Sequence, residues 1–426
     1  MFSQISTSLS RYFSFYPPDR HLAPSRRNDL DWLRIILFGL LIIHHVGMFY
    51  VSNWGWHAKS QYRAEWLESI LLIVEPWRMP AIWLISGVAI RFLLAKVSIL
   101  RFVSLRSLRL LLPLLIGVLV VVPPQLFIEM TAKGEIAMSY WQFMGHFFSS
   151  YSDIFENYQY GIWPHIDVNH LWYLRSLWFY SLYLVLLLPL LNSVWVTWAI
   201  DWLSNRHGLF LILLMIAIVL VIQLNWEMNR TRYPIGFTFL LLGYLLGWHQ
   251  GLWQKLSSSL KPLAVSFLLG SAIFITLYNV VWLDVIKGQT QSEAMQLITM
   301  VAYSTMRIIG VALVLSLTYR FLNKRSKHLG YFSDAVYPFY IFHQSLILVI
   351  GYYLTQLNLG PVVEGVAVTL STILGCWILF EVVRRVELLR PCFGLKMKGQ
   401  YSRKMMQFGY TMGFLLVSPL AMRLLF

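Results

Sequence analysis

Ten apolar segments of spanning or near-spanning length recur along the 426-residue chain, at about 33–51, 67–94, 107–129, 171–193, 208–224, 235–249, 262–283, 297–319, 335–355 and 362–383. A helix needs about 20 apolar residues to cross the ~30 Å hydrocarbon core of a bilayer, and these segments have that length. The expected fold class is therefore all-α: a polytopic integral membrane helix bundle of about 10–11 transmembrane helices. The eleventh candidate is "QFGYTMGFLLVSPLAMRLLF" (407–426), where Pro419 and Arg423 leave both a crossing and an interfacial helix open. Pro76 and Pro80 predict that the second segment either kinks or begins after "EPWRMP". Composition agrees, with 58% hydrophobic and 12% charged residues, against about 25% charged in soluble domains.

The net charge of +15 would suit a nucleic-acid binder, but the basic residues fall in alternate loops. With the amino terminus inside, 23 lie in inside loops and six in outside loops. That is the positive-inside pattern, so no nucleic-acid partner is expected and the amino terminus is expected to be cytoplasmic. The organisation that follows is a cytoplasmic arm at 1–32, a transmembrane domain at 33–383, and a basic cytoplasmic stretch with the terminal apolar segment at 384–426. The arm lacks the apolar core of a signal peptide. Cys376 in an apolar run and Cys392 in a basic tail have unlike surroundings, which argues against a disulfide framework or a cysteine metal site.

The first segment, "LDWLRIILFGLLIIHHVGMFY", carries ionisable groups where they are expensive. Arg34 and His45 are eleven residues apart, which places them within ~20° on one helix face and about 16 Å apart along it. Asp31 can pair with Arg34 three residues on, and His44 points about 100° from His45. The stripe describes a path with a positive mouth ending at a titratable base. A histidine in a bundle serves equally as an interhelical hydrogen-bond partner, so the other polar groups decide. Glu75, Arg78 and Ser86-Gly87 lie in the second segment, His170 and Arg175 open the fourth, and Arg307 sits deep in the eighth. Tyr337, Tyr340 and His343 share one face of the ninth. Together they point to a polar cavity for an anionic, phosphate-bearing ligand. Snorkelling of Arg34 and Arg175, packing of the tyrosines, and a close helix crossing at Ser86-Gly87 are the competing structural readings. The long loop at about 130–170 is rich in aromatics, which suits either interfacial anchoring or a platform for a bulky sugar.

These residues also carry a resemblance. Leu30-Asp31-x-x-Arg34, ten residues, then His45 resembles the Arg-x10-His signature of the family-3 membrane acyltransferases. "RMPAIWLISG" resembles that family's second-helix segment and "RSLRLLLP" (106–113) its basic entry to the third helix. "HLWYL" (170–174) and "AVYPFYIFHQS" (335–345) match as well, all in the family's order. Many members carry Trp-Ser-Leu-x-x-Glu where this chain has His170-Leu171-Trp172-Tyr173-Leu174. That departure, and "PPQLFIEMTAKG" (123–134), resemble the branch of periplasmic glucan succinyltransferases.

The resemblance implies a multi-pass enzyme of the bacterial inner membrane, needing no cofactor. It would move a succinyl or acetyl group from cytoplasmic acyl-coenzyme A to a hydroxyl of an extracytoplasmic glycan. His45 and Arg34 would be catalytic, with Asp31, Arg78, Ser86, His170, Arg175, Arg307, Tyr340 and His343 around the substrates and no metal. Neutral histidine suits the hydroxyl proton at cellular pH. Arg34, the 101–109 basic stretch and Arg78 would hold the coenzyme A phosphates. Tyr340, His343 or Arg175 would stabilise the oxyanion. Direct attack and an acyl-histidine relay both remain open. The rival classes are a proton-coupled transporter of a polar solute, which also uses intramembrane histidine and arginine, and a lipid-linked glycosyltransferase, which wants acidic metal ligands that the spans hold few of.

Overall fold

The computed structural model describes residues 27–149, 152–156, 167–227, 230–247 and 249–397, together with 399, 402–409, 411 and 412. Among these, nine helices are long and apolar enough to cross a membrane. The sixth expected segment, 235–249, falls on α10 (Arg232–Leu246), which qualifies only together with the following α11 (Gln250–Ser258). Most of the 407–426 segment, the arm up to Arg26 and much of the aromatic loop fall outside the described residues.

The chain divides into two compact units. The first holds the described residues up to Leu37, with Ser69–Phe102 and Tyr180–Leu329. It takes in the start of α1 (Asn28–Tyr50) and the end of α7 (Trp172–Leu191). Its other long helices are α3 (Glu75–Leu94), α9 (Gly208–Asn225), α10, α12 (Leu260–Leu277) and α14 (Glu293–Phe321), with α8 (Val194–Ser204), α11 and α13 (Leu283–Ile286) as shorter pieces. The proline pair resolves by a break ahead of it. The short α2 (Trp66–Leu71) ends in a turn, and α3 starts afresh with Pro76 in its first turn, where the missing N–H costs nothing. Backbone contact between α3 and α10 is direct. A Cβ on Gly87 would stand 1.9 Å from the Leu240 carbonyl oxygen, and one on Gly243 1.9 Å from that of Leu84. Glycine is needed at both because any side chain would part the helices. The competing reading of Ser86-Gly87 as a close crossing therefore holds for Gly87. α9 buries only Val219 and is apolar all round, as expected of a lipid-facing span.

The second unit holds Phe38–Glu68, Val103–Phe179 and the described residues from Gly330 onward. It contains the rest of α1, most of α4 (Ile99–Ile116), α5 (Pro123–Ala132), α6 (Tyr140–Phe147), the start of α7, α15 (Leu329–Thr355), α16 (Pro361–Arg385) and α17 (Leu389–Cys392). α4 passes through a wide turn at Gly117–Val121 before Pro123 opens α5. Such a turn re-aims carbonyls that a regular helix would consume, and the freed Val121 carbonyl accepts from the Ser345 hydroxyl. One apolar core joins Phe49, Tyr50, Ile128, Ile347 and Leu348. A second joins Leu126 and Met130 of α5 to Phe143, Phe147 and Phe155. Those phenylalanines belong to the predicted aromatic loop, and they are core, whereas Trp141 is 80% exposed.

Candidate active site

The site is assembled within the second unit, and it starts from the way α1 ends. The chain folds back over the last turn of α1: Ser60 and Ala64 donate backbone N–H groups to the carbonyls of Phe49 and Tyr50. The Lys59 ammonium donates to the carbonyls of Met48 and Val51, both at 2.8 Å. A cation here satisfies orphan carbonyls and meets the negative end of the helix dipole. Burial still pushes the Lys59 ammonium down to about 8, against the opposing pull of Glu68. This fold-back sets Trp54 6.0 Å from the His44 ring and Trp56 5.3 Å from the His45 ring.

His45 meets His343 across 298 residues of sequence, with Nδ1 and Nε2 2.7 Å apart and the ring planes within 10° of parallel. His343 is fully buried, and its Nδ1 lies 2.7 Å from the Tyr340 carbonyl, one helical turn back. A carbonyl only accepts, so the His343 Nδ1 carries the proton. Its Nε2 is then a lone pair, which accepts the Nδ1–H of His45. That leaves Nε2 of the partly exposed His45 as the unprotonated nitrogen of its ring. Neither imidazole has another way to satisfy these partners while both are neutral. The relation is that of an oriented base in nucleophilic enzymes, where a second group fixes the working tautomer.

A polar network encloses this pair. His170 Nε2–H donates to the Ile341 carbonyl at 2.9 Å, so its Nδ1 accepts from the Gln125 amide at 3.1 Å. Gln125 also donates to Ser345 at 2.7 Å. The Tyr340 hydroxyl donates to the His170 carbonyl at 2.6 Å. Gln344, next to His343, donates to Gln125 Oε1 at 3.1 Å, Asn169 Oδ1 at 3.0 Å and His57 Nε2 at 3.2 Å. An amide has two N–H groups, so these three acceptors share them. His57 Nδ1–H in turn donates to the Glu129 carboxylate, which also takes Lys133 at 2.6 Å. Asn169 sits at φ 45°, a left-handed conformation that asparagine tolerates better than most residues, and this presents its side chain to Gln344.

Of the residues expected from sequence, His45, His170, Tyr340 and His343 are brought together. Tyr340 and His343 have their protons on the carbonyls of His170 and Tyr340, which fixes the tautomer of His343. Arg175, on α7, has no hydrogen-bond or ion-pair partner among the described residues and lies in the same unit. Tyr337 donates to the Arg109 carbonyl at 2.6 Å, a packing role. The other predicted residues belong to the first unit. Arg34 lies 3.9 Å from Asp31, the expected pairing at ion-pair range. Arg307 is buried, lying 4.4 Å over the Tyr303 ring and donating to the Pro76 carbonyl at 3.3 Å. Arg78 is 4% exposed, with its Nε and one terminal nitrogen lacking hydrogen-bond partners among the described residues. Ser86 donates to the Ile82 carbonyl of its own helix at 2.8 Å.

Sequence reasoning missed His57, Glu129, Gln125, Asn169 and Gln344. Four of these touch stretches already singled out: Gln125 and Glu129 lie in "PPQLFIEMTAKG", Asn169 precedes His170 and Gln344 follows His343. A polar residue flanking a flagged one in a span is a usable signal. His57 had none, because it sits in a loop.

Fold and site together define a multi-pass helical membrane protein that holds an oriented imidazole base inside a buried polar network. The family model described as an acyltransferase domain, acyltransferase family 3, matches residues 27–381. The chain belongs to that family and is a membrane acyltransferase. It is similar to the glucans biosynthesis protein C of Salmonella heidelberg strain SL476 and of Salmonella schwarzengrund strain CVM19633. Each is 24% identical over 391 residues, 87% of this chain and 95% of the relative. No solved structure matches the chain.

Proposed function

We propose that this acyltransferase takes a succinyl or acetyl group from cytoplasmic acyl-coenzyme A and passes it to a hydroxyl of an extracytoplasmic glucan, in the inner membrane of a bacterium. The observation that carries the reading is the His45–His343–Tyr340 chain, which leaves His45 Nε2 as a base with a fixed tautomer. The acceptor hydroxyl gives its proton to Nε2 as its oxygen attacks the thioester carbonyl. The carbon–sulfur bond then breaks, and the imidazolium returns the proton to the departing thiolate. The His45 Nδ1–H stays on His343 throughout, so the developing imidazolium is stabilised without rotating the ring. The names of the similar Salmonella proteins support a glucan as acceptor.

Donor phosphates call for cations. Arg34 at the start of α1, the 101–109 basic stretch and the buried Arg78 and Arg307 supply that chemistry, and Arg175 suits the oxyanion. The test follows coenzyme A release from acetyl- and succinyl-coenzyme A with a β-glucan acceptor, in wild type and His45→Ala. Release that requires His45 supports the reading, and the preferred donor names the acyl group. Equal release from the variant removes His45 from the chemistry.

A further inference from the structure

The first unit encloses a second feature, unrelated to the histidine network. A cavity of about 830 Å³ opens among α9, α10, α11, α12 and α14, within the ~300–1,000 Å³ range of small-molecule sites. Its wall along α14 runs from Ile308 to Leu315, about 10 Å of helix, and it runs a similar length along α9 from Gly208 to Met215. The walls are leucine, isoleucine, valine, phenylalanine, methionine and alanine, with Ser266 as the polar residue on α12.

Polar chemistry gathers where α9 begins and α11 ends. Asn205, Arg206, His207, Lys255 and Ser259 line that end, and no acidic residue lines the cavity. The rim is built rather than incidental. The Lys255 ammonium donates to the carbonyls of Ser204 at 2.6 Å and Arg206 at 2.5 Å, tying the two rim segments together. The exposed Arg206 guanidinium lies 4.0 Å over the Trp202 ring.

A hydrocarbon chamber with a cationic rim selects its ligand. A sugar, or the amide-rich arm of a coenzyme, would leave polar groups unsatisfied against the chamber wall. An apolar chain loses nothing there, and an anionic headgroup complements Arg206 and Lys255. We infer that the first unit holds a binding site for an anionic phospholipid, with one acyl chain in the chamber and its phosphate at the Arg206–Lys255 rim.

The test uses the full-length protein purified in detergent and titrated with phosphatidylglycerol, phosphatidylcholine or glycerol phosphate. Thermal stability and lipid retained in native mass spectrometry are read together. The site predicts half-saturation at a roughly tenfold lower concentration of phosphatidylglycerol than of phosphatidylcholine, given two rim cations. Glycerol phosphate, which lacks chains, gives no shift. Ala312→Trp fills the chamber and abolishes retention of both lipids. Arg206→Glu, on an exposed rim residue, removes the preference for phosphatidylglycerol while phosphatidylcholine still binds. Equal response to the two lipids in wild type, or a shift with glycerol phosphate alone, overturns the proposal. So does unchanged retention in Ala312→Trp. If that variant does not fold, Arg206→Glu decides: an undiminished preference for phosphatidylglycerol refutes the site.

Discussion

His343 makes the sharpest prediction, because its role is separable from that of the base it orients. Its Nε2 accepts the His45 Nδ1–H at 2.7 Å, and its own Nδ1–H is held by the Tyr340 carbonyl. His343→Leu removes the acceptor. The His45 ring is then free to adopt either tautomer and to turn, and a buried N–H loses its partner. A positioned base is worth about 10²–10⁴ in rate, and holding the wrong tautomer in a serine-protease triad costs about 10⁴. We therefore expect kcat to fall by about 10²–10⁴, or roughly 2.7–5.4 kcal/mol at 1.36 kcal/mol per decade, with KM for the donor nearly unchanged. Two further variants separate tautomer control from lost packing. A glutamine amide reaches the place of the imidazole Nε2, so His343→Gln can still accept from His45 and should recover to within about tenfold of wild type. An asparagine amide reaches only the place of Nδ1, so His343→Asn should keep the carbonyl contact and remain inactive. Single-turnover coenzyme A release on protein of matched thermal stability reads all three. His343→Leu within threefold of wild type, or glutamine no better than asparagine, would refute the tautomer argument.

Four other outcomes follow from the geometry. Glu129→Gln and His57→Ala should each lower kcat by roughly 10–100-fold, and the double variant should be no worse than either alone, since one unit is broken. Additive losses in that cycle would deny the dyad. Tyr340→Phe strips the His170 carbonyl of its 2.6 Å donor and should cost about 1–3 kcal/mol in a denaturant melt. Gly243→Ala puts a methyl 1.9 Å from the Leu84 carbonyl and should cost at least about 1–3 kcal/mol by overpacking, whereas Ala at Gly39, where a Cβ meets nothing within 4 Å, should be neutral. Lys59, held down to about 8 by burial, should react with amine reagents along a titration centred near pH 8, a signal absent in Lys59→Met. In the unfolded chain this amine keeps its ordinary, higher value, so between those two values the unfolded state binds more protons. The contribution of Lys59 to stability therefore rises with pH across that window, and its ammonium is a liability below it.

The legible part of this protein was whatever hydrocarbon or helical geometry dictates locally. Among the described residues, the ten expected apolar segments fall largely on helices, the second across a break and the third across a wide turn, because a run of about 20 apolar residues has few other stable states in a bilayer. Arg34 and His45 do share the unbroken α1 helix. The proline pair marked a real break, displaced to just before Pro76 because proline is accepted in a first turn. His45, His170, Tyr340 and His343 could be named from sequence because polar side chains stand out against an apolar background.

What each of them does was not legible. Tyr340 and His343 read equally well as oxyanion donors until their protons were found on carbonyls one turn away or on another helix. His57 was hidden because loops carry polar residues for ordinary reasons, and only the fold-back over the end of α1 gives it a partner, Glu129, 72 residues on. The sequence alone determined an all-helical membrane chain of the acyltransferase family and marked out its intramembrane histidines, since hydropathy and motif spacing act along the chain. Tertiary structure decided which nitrogen of His45 carries the proton, because a tautomer is set by a partner 298 residues away, and no periodicity along one helix encodes what another helix presents to it.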